Sequence, residues 1–163
     1  MSRILNAGNK LSTLKAQALK KGGYKMDVQV NLLAVVLAMV SSMVVGMVWY
    51  ARPVFGNKWM KLAKVDITKN SSAVLPIVLT ALMSLLTAYI LACVAFLCQH
   101  FYGNGFLEAS LTTAFWMWAA FTAARMVTHD LFEGRPAQLT ILNIAHEFVT
   151  FMVMGLIIGL MGV

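Results

Sequence analysis

Charge is scarce in this chain, and acid is scarcer still. Only 12% of its 163 residues are charged, and six Asp or Glu stand against 13 Lys or Arg. The charged share is about half that of a typical soluble domain. With 60% hydrophobic residues and a mean hydropathy of +0.78, too little polar surface exists to face water. A water-soluble globule is therefore excluded. Cysteine is also rare. Cys93 and Cys98 lie in one apolar run, on different faces of any helix, with no CxxC pattern. That excludes a disulfide framework and a dithiol redox pair, and leaves two small apolar side chains. A phosphate-binding loop, a serine-nucleophile motif and a tight metal motif are all missing, which puts an enzyme last among the functional classes.

What the chain has instead is four apolar runs, at about 28–50, 73–98, 109–128 and 139–163. Each approaches the ~20 residues that carry a helix across a bilayer. A segment in hydrocarbon must satisfy its own backbone hydrogen bonds, so helices rather than strands are expected. The expected fold is all-α: an integral membrane four-helix bundle over residues 26–163, preceded by a basic amphipathic extension at 1–25. Pro76 falls in the first turn of the second run, where it is tolerated. Short turns at 99–108 and 129–138 make helices two to four antiparallel neighbours.

The extension holds six Lys or Arg and no acid, with Ile4, Ala7, Leu11, Leu14 and Ala18 at helical spacing. Three readings stand side by side: a helix on the membrane surface, a mitochondrial targeting peptide, and an upstream extension before a start at Met26. A second basic block follows the first apolar run, with Arg52, Lys58, Lys61, Lys64 and Lys69. Basic blocks flanking apolar runs point to anionic lipid headgroups. No motif supports nucleic acid. Cations close to helix ends tip the side carrying loops 51–72 and 129–138 toward the cytoplasm.

Polar residues inside membrane helices are costly, so their placement carries information. Trp118, Thr122, Arg125 and His129 share one face of the third run by three- and four-residue spacing. Asn143, His146, Glu147 and Thr150 share a face of the fourth. Folding about the 133–135 turn brings Arg125 and His129 level with Asn143 to Glu147 and makes Arg125 and Glu147 candidate ion-pair partners. The first run offers Asn31, Ser42 and Trp49, and the second Thr80, Ser84 and Thr87. The expected result is a small polar chamber near the 51–72 side, lined by Arg125, His129, Asn143, His146 and Glu147. A plainer reading stands beside it, in which Arg125 and Glu147 pin two helices together and His146 is an ordinary hydrogen-bonding residue. His129, Glu133, His146 and Glu147 are acceptable zinc ligand types, but Arg125 would repel a cation and no tight motif exists. No metal is assigned, and a haem held by His129 and His146 has no further support. No cofactor is assigned.

Gly155 and Gly159 form a GxxxG face pointing away from His146 and Glu147, suited to packing within the bundle or to a homo-oligomer. The most distinctive stretch is Trp49-Tyr50-Ala51-Arg52-Pro53-Val54-Phe55-Gly56-Asn57-Lys58-Trp59. An aromatic pair ends the first helix at the interface, Pro53 stops it, Gly56 permits a turn and Trp59 returns to the interface. Together with Thr128 to Gly134 and Asn143 to Glu147, this stretch resembles the bacterial membrane family known as domain of unknown function 1761, over about residues 26–163. The resemblance implies four membrane helices and weight on Trp49, Tyr50, Pro53, Phe55, Gly56 and Trp59, with Ala51-Arg52 standing where a glycine is often seen. It favours the upstream-extension reading of 1–25 and a bacterial inner membrane over a mitochondrial one. It supplies no activity.

Three functions are weighed. One is a chamber that binds or passes a small molecule or ion, with the aromatic loop as its mouth and Arg125 as a positive contact for an anion or amphiphile. The second is an accessory subunit of a larger membrane complex. The third is an enzyme using His146 and Glu147 as acid and base.

Overall fold

The computed structural model describes residues 28–65 and 73–162. The basic extension at 1–25 and Lys69 lie outside them. Every element among the described residues is helical: α1 (Leu32–Trp49), a π-helical turn (Arg52–Gly56), α2 (Asn57–Ala63), α3 (Val74–Tyr102), α4 (Phe106–Met117), a π-helical segment (Trp118–Ala123), α5 (Ala124–Phe132) and α6 (Ala137–Met161). Three of these, α1, α3 and α6, are long and apolar enough to cross a membrane. At 1.5 Å per residue, the 18 residues of α1 reach about 27 Å and the 29 of α3 about 43 Å, against a hydrocarbon core of about 30 Å.

Local chemistry sets the ends. Asn31 caps α1 by accepting from the Ala34 N–H at 3.2 Å. It therefore does not extend the inward stripe of Ser42 and Trp49. Its Nδ2 also donates to the Met161 carbonyl at 3.4 Å, tying the start of α1 to the end of α6. The second helix continues past the expected end at 98 to Tyr102, where Gly103 at φ 72° supplies the left-handed cap. Between the first two long helices the sequence suggested a plain basic loop. The structure instead holds the π turn and α2, closed by Lys64 in the left-handed region at φ 53°.

The third apolar run is helical from Phe106 to Phe132 but is not one regular helix. Six residues, Trp118 to Ala123, are wound as π-helix. Each residue added in this way turns whatever follows by about 100° relative to a regular helix. The Trp118 indole anchors the segment, donating from Nε1 to the Ile144 carbonyl of α6 at 3.0 Å and meeting Phe148 edge to face at 4.8 Å.

In space α1 packs on α3 and α6, and α4 likewise packs on α3 and α6. The shared core is small-residue rich. Ala38, Ala88, Ala92 and Ala114 surround Val35, Leu91, Phe151, Met154 and Ile158. Small side chains let helix axes approach closely, which in lipid replaces hydrophobic burial as a source of packing energy. Gly155 and Gly159 serve that purpose inside the chain. A Cβ on Gly155 would stand 2.8 Å from Ala114 Cβ, and one on Gly159 would stand 2.8 Å from Leu107 Cα. The GxxxG face is thus taken by α4. Outward, the long helices expose large apolar side chains such as Leu32, Met47, Val74, Leu75 and Leu160. That is far more apolar surface than a protein in water presents.

The α5–α6 turn carries a connected group of charges. Asp130 is buried, accepts from Thr140 Oγ1 at 2.7 Å and lies 3.6 Å from Arg135 Nε, while Arg135 also meets Glu133 at 2.6 Å. Asp130→Ala leaves the buried Thr140 hydroxyl without its acceptor. The expected cost is about 1–3 kcal/mol, read as a lowered thermal midpoint in detergent. Thr140→Val should add little further destabilisation on top of Asp130→Ala, because the two groups act as a unit.

Candidate functional site

Each α1 residue at the site owes its place to the way that helix ends. Tyr50 is the C-cap, its N–H bonded to the Gly46 carbonyl, and Ala51 then turns extended. Pro53 sits in the first turn of the π segment, where a missing N–H costs nothing. The π turn closes on a bond from the Gly56 N–H to the Ala51 carbonyl at 3.0 Å. This tight reversal folds Phe55 back to 4.6 Å from Trp49 and Trp59 to 5.3 Å from Tyr50, measured between ring centres. Pro53 and Gly56 therefore shape the aromatic cluster.

The cluster packs onto α6 at His146. Its imidazole lies 4.9 Å from the Tyr50 ring and 5.9 Å from that of Trp49. Tyr50 also donates its hydroxyl to Asn143 Oδ1 at 3.2 Å. His146 Nδ1 stands 3.3 Å from Glu147 Oε1. Nε2 is buried without a hydrogen-bond partner in the structure, as is the Trp49 indole N–H. Buried polar atoms are nearly always satisfied, and the cluster shares this exception with Ser110 Oγ and Thr113 Oγ1 of α4.

A cavity of about 470 Å³ opens beside this cluster, between α1, α3 and α6. Ser42, Thr80, Ser84 and Thr150 supply hydroxyls, Glu147 the charge, and Met43, Met47 and Ile77 much of the apolar wall. Ser42 and Thr150 are committed to carbonyls of their own helices, at 2.7 and 3.0 Å. Glu147 is about a third exposed, with a side-chain accessibility of 35%, whereas that of His146 is 12%. His146 is nine residues past the start of α6, which puts the pair about 14 Å along that helix. None of the cations in the described residues lines the cavity.

Arg125 and His129 are elsewhere. Both are exposed, neither lines this cavity, and no Arg125–Glu147 ion pair forms among the described residues. The expected pairing assumed an unbroken 3.6-residue period from Trp118 to His129. The π segment breaks that period and turns the face of α5 away after Trp118 has docked on α6. Glu133 is exposed in the turn and paired with Arg135, so the ligand set of His129, Glu133, His146 and Glu147 does not converge. Among the described residues no group of three or more His, Cys, Asp or Glu side chains could hold a metal ion. Met43, Met47 and Ile77 of the cavity wall had no polar signal, and only the helix pairing could have found them.

Fold and site define a helical protein with three helices suited to a membrane and an acidic, hydroxyl-bearing cavity between them. The family model described as Protein of unknown function (DUF1761) matches residues 33–159, and the chain belongs to that family. No curated protein and no solved structure matches it.

Proposed function

We propose that the protein is an integral membrane protein with four spanning helices, the third formed by α4, the π segment and α5. In this reading the cavity between α1, α3 and α6 binds a small amphiphile drawn from the bilayer. The observation that carries it is Glu147. An ionisable side chain at this depth in a membrane helix costs about 2.5–3.5 kcal/mol near the helix centre. Such residues are retained mainly for a functional reason. Here the carboxylate faces a cavity, and its one ion-pair contact is His146. A purely structural pin would be expected to face a cation on a neighbouring helix. The cavity also has the make-up of a small-molecule site, an apolar wall with a few convergent polar groups. Its opening lies among the exposed apolar residues of α1 and α3, which suits a ligand already dissolved in lipid.

Photolabelling with a diazirine-bearing alkyl alcohol, on the protein in phosphatidylcholine vesicles, tests this directly. Label is expected on peptides covering Met43–Tyr50, Pro76–Ser84 and His146–Thr150. Ser84→Trp, which fills the cavity, should reduce labelling there several-fold. Label spread evenly over the outward faces of all helices, indifferent to Ser84→Trp, would remove the binding reading.

A further inference from the structure

The cavity's charge inventory carries the reading one step further. This step rests on the cavity being a ligand site, as proposed above. Six Lys or Arg lie in the described residues: Arg52, Lys58, Lys61, Lys64, Arg125 and Arg135. None of them reaches the cavity. An anion entering it would meet the Glu147 carboxylate with no Lys or Arg among the described residues to offset the repulsion, in surroundings too apolar to screen it. We infer that the ligand of this cavity is a lipophilic monovalent cation, an amphiphile with a positively charged nitrogen.

The remaining features agree with that chemistry. His146 Nδ1 stands 3.3 Å from Oε1 of Glu147, and among the described residues no group bonds to the second carboxylate oxygen. That oxygen is open to the incoming charge. Tyr50 lines the same cavity, and an aromatic ring face attracts a cation within about 6 Å of its centre. Thr80 and Ser84 make no side-chain hydrogen bond among the described residues, which leaves their hydroxyl oxygens to accept from an ammonium N–H. Met43, Met47 and Ile77 then receive the apolar tail, and thioether side chains adapt to varied shapes. His146 fits as the positioning residue.

Competition against the same photolabel separates this inference from the one beneath it. Dodecylammonium, dodecyl sulfate and dodecanol share a chain and differ in headgroup. They are compared at matched membrane concentrations in neutral phosphatidylcholine vesicles. The ammonium is expected to displace cavity label at about tenfold lower concentration than the other two, the scale of one charge-assisted contact. Glu147→Gln should abolish that preference, read as the ratio of ammonium to dodecanol displacement, and Glu147→Asp should retain most of it. Equal or better displacement by the sulfate, or an undiminished ammonium preference in Glu147→Gln, overturns the cation assignment and leaves the cavity standing. Failure of the alcohol to label the cavity at all overturns both.

Discussion

Gly56→Ala is expected to prevent the native fold from accumulating. The reason is spatial rather than conformational. Gly56 has ordinary right-handed helical angles, φ −58° and ψ −45°, which any residue adopts. What it lacks is room. A Cβ there would overlap the Tyr50 carbonyl oxygen and lie 2.9 Å from both the carbonyl carbon and the oxygen of Ala51. All three are backbone atoms of the segment that ends α1, so none can rotate aside. Relief requires opening the bond from the Gly56 N–H to the Ala51 carbonyl and unwinding the π turn. That releases Phe55 from Trp49 and Trp59 from Tyr50, and with them the packing around His146. Overpacking against side chains typically costs about 1–3 kcal/mol, and a clash with rigid backbone belongs at or above the top of that range. Fluorescence-detected size exclusion after detergent extraction should show loss of the monodisperse peak. Arg52→Ala, one turn away and exposed, should leave it intact, and a normal Gly56→Ala profile would mean that the turn is not built this way.

The second large effect is expected at Gly159. Its replacement by alanine places a Cβ 2.7 Å from Leu107 Cδ1 and 2.8 Å from Leu107 Cα. The side-chain atom can move; the Cα moves only if α4 and α6 separate. Gly155→Ala makes the corresponding contact one turn away, with Ala114 Cβ at 2.8 Å and the Ser110 carbonyl oxygen at 3.1 Å. Each substitution should destabilise by about 1–3 kcal/mol. The pair together should lower the thermal midpoint by less than the sum of the two, since one separation of the same two helices relieves both contacts. Multi-angle light scattering should report an unchanged oligomeric mass for the single variants. A mass change with no loss of thermal stability would instead place the GxxxG face at a contact between copies.

These expectations mark what the sequence made legible. The positions of the long helices followed from apolar run length, because bilayer thickness and backbone hydrogen bonding leave few alternatives. Ser42, Thr80, Ser84 and Glu147, read as inward stripes on three helices, line one cavity. The pairing of Arg125 with Glu147 failed for a definite reason. Periodicity arguments presume a regular helix, and nothing in Trp118 to Ala123 announces the π winding that turns α5 aside. Gly56 was read as a residue that lets the chain bend, whereas its use is to clear the carbonyl of Tyr50. Crowding of that sort depends on where distant backbone atoms fall, and composition carries no trace of it. The role of Gly155 and Gly159 was open between two partners, and only the helix order decided in favour of α4.

The hydrogen bond from Asn31 to Met161 has a consequence for modularity. It brings the two extremities of the family-matched region side by side at one end of the molecule, so the path of the chain closes into a loop. A unit of that form can be re-opened at another exposed turn, such as Gly103 to Gly105, with a short linker sealing the original gap. It can equally be inserted whole into a host protein, entering and leaving through adjacent points.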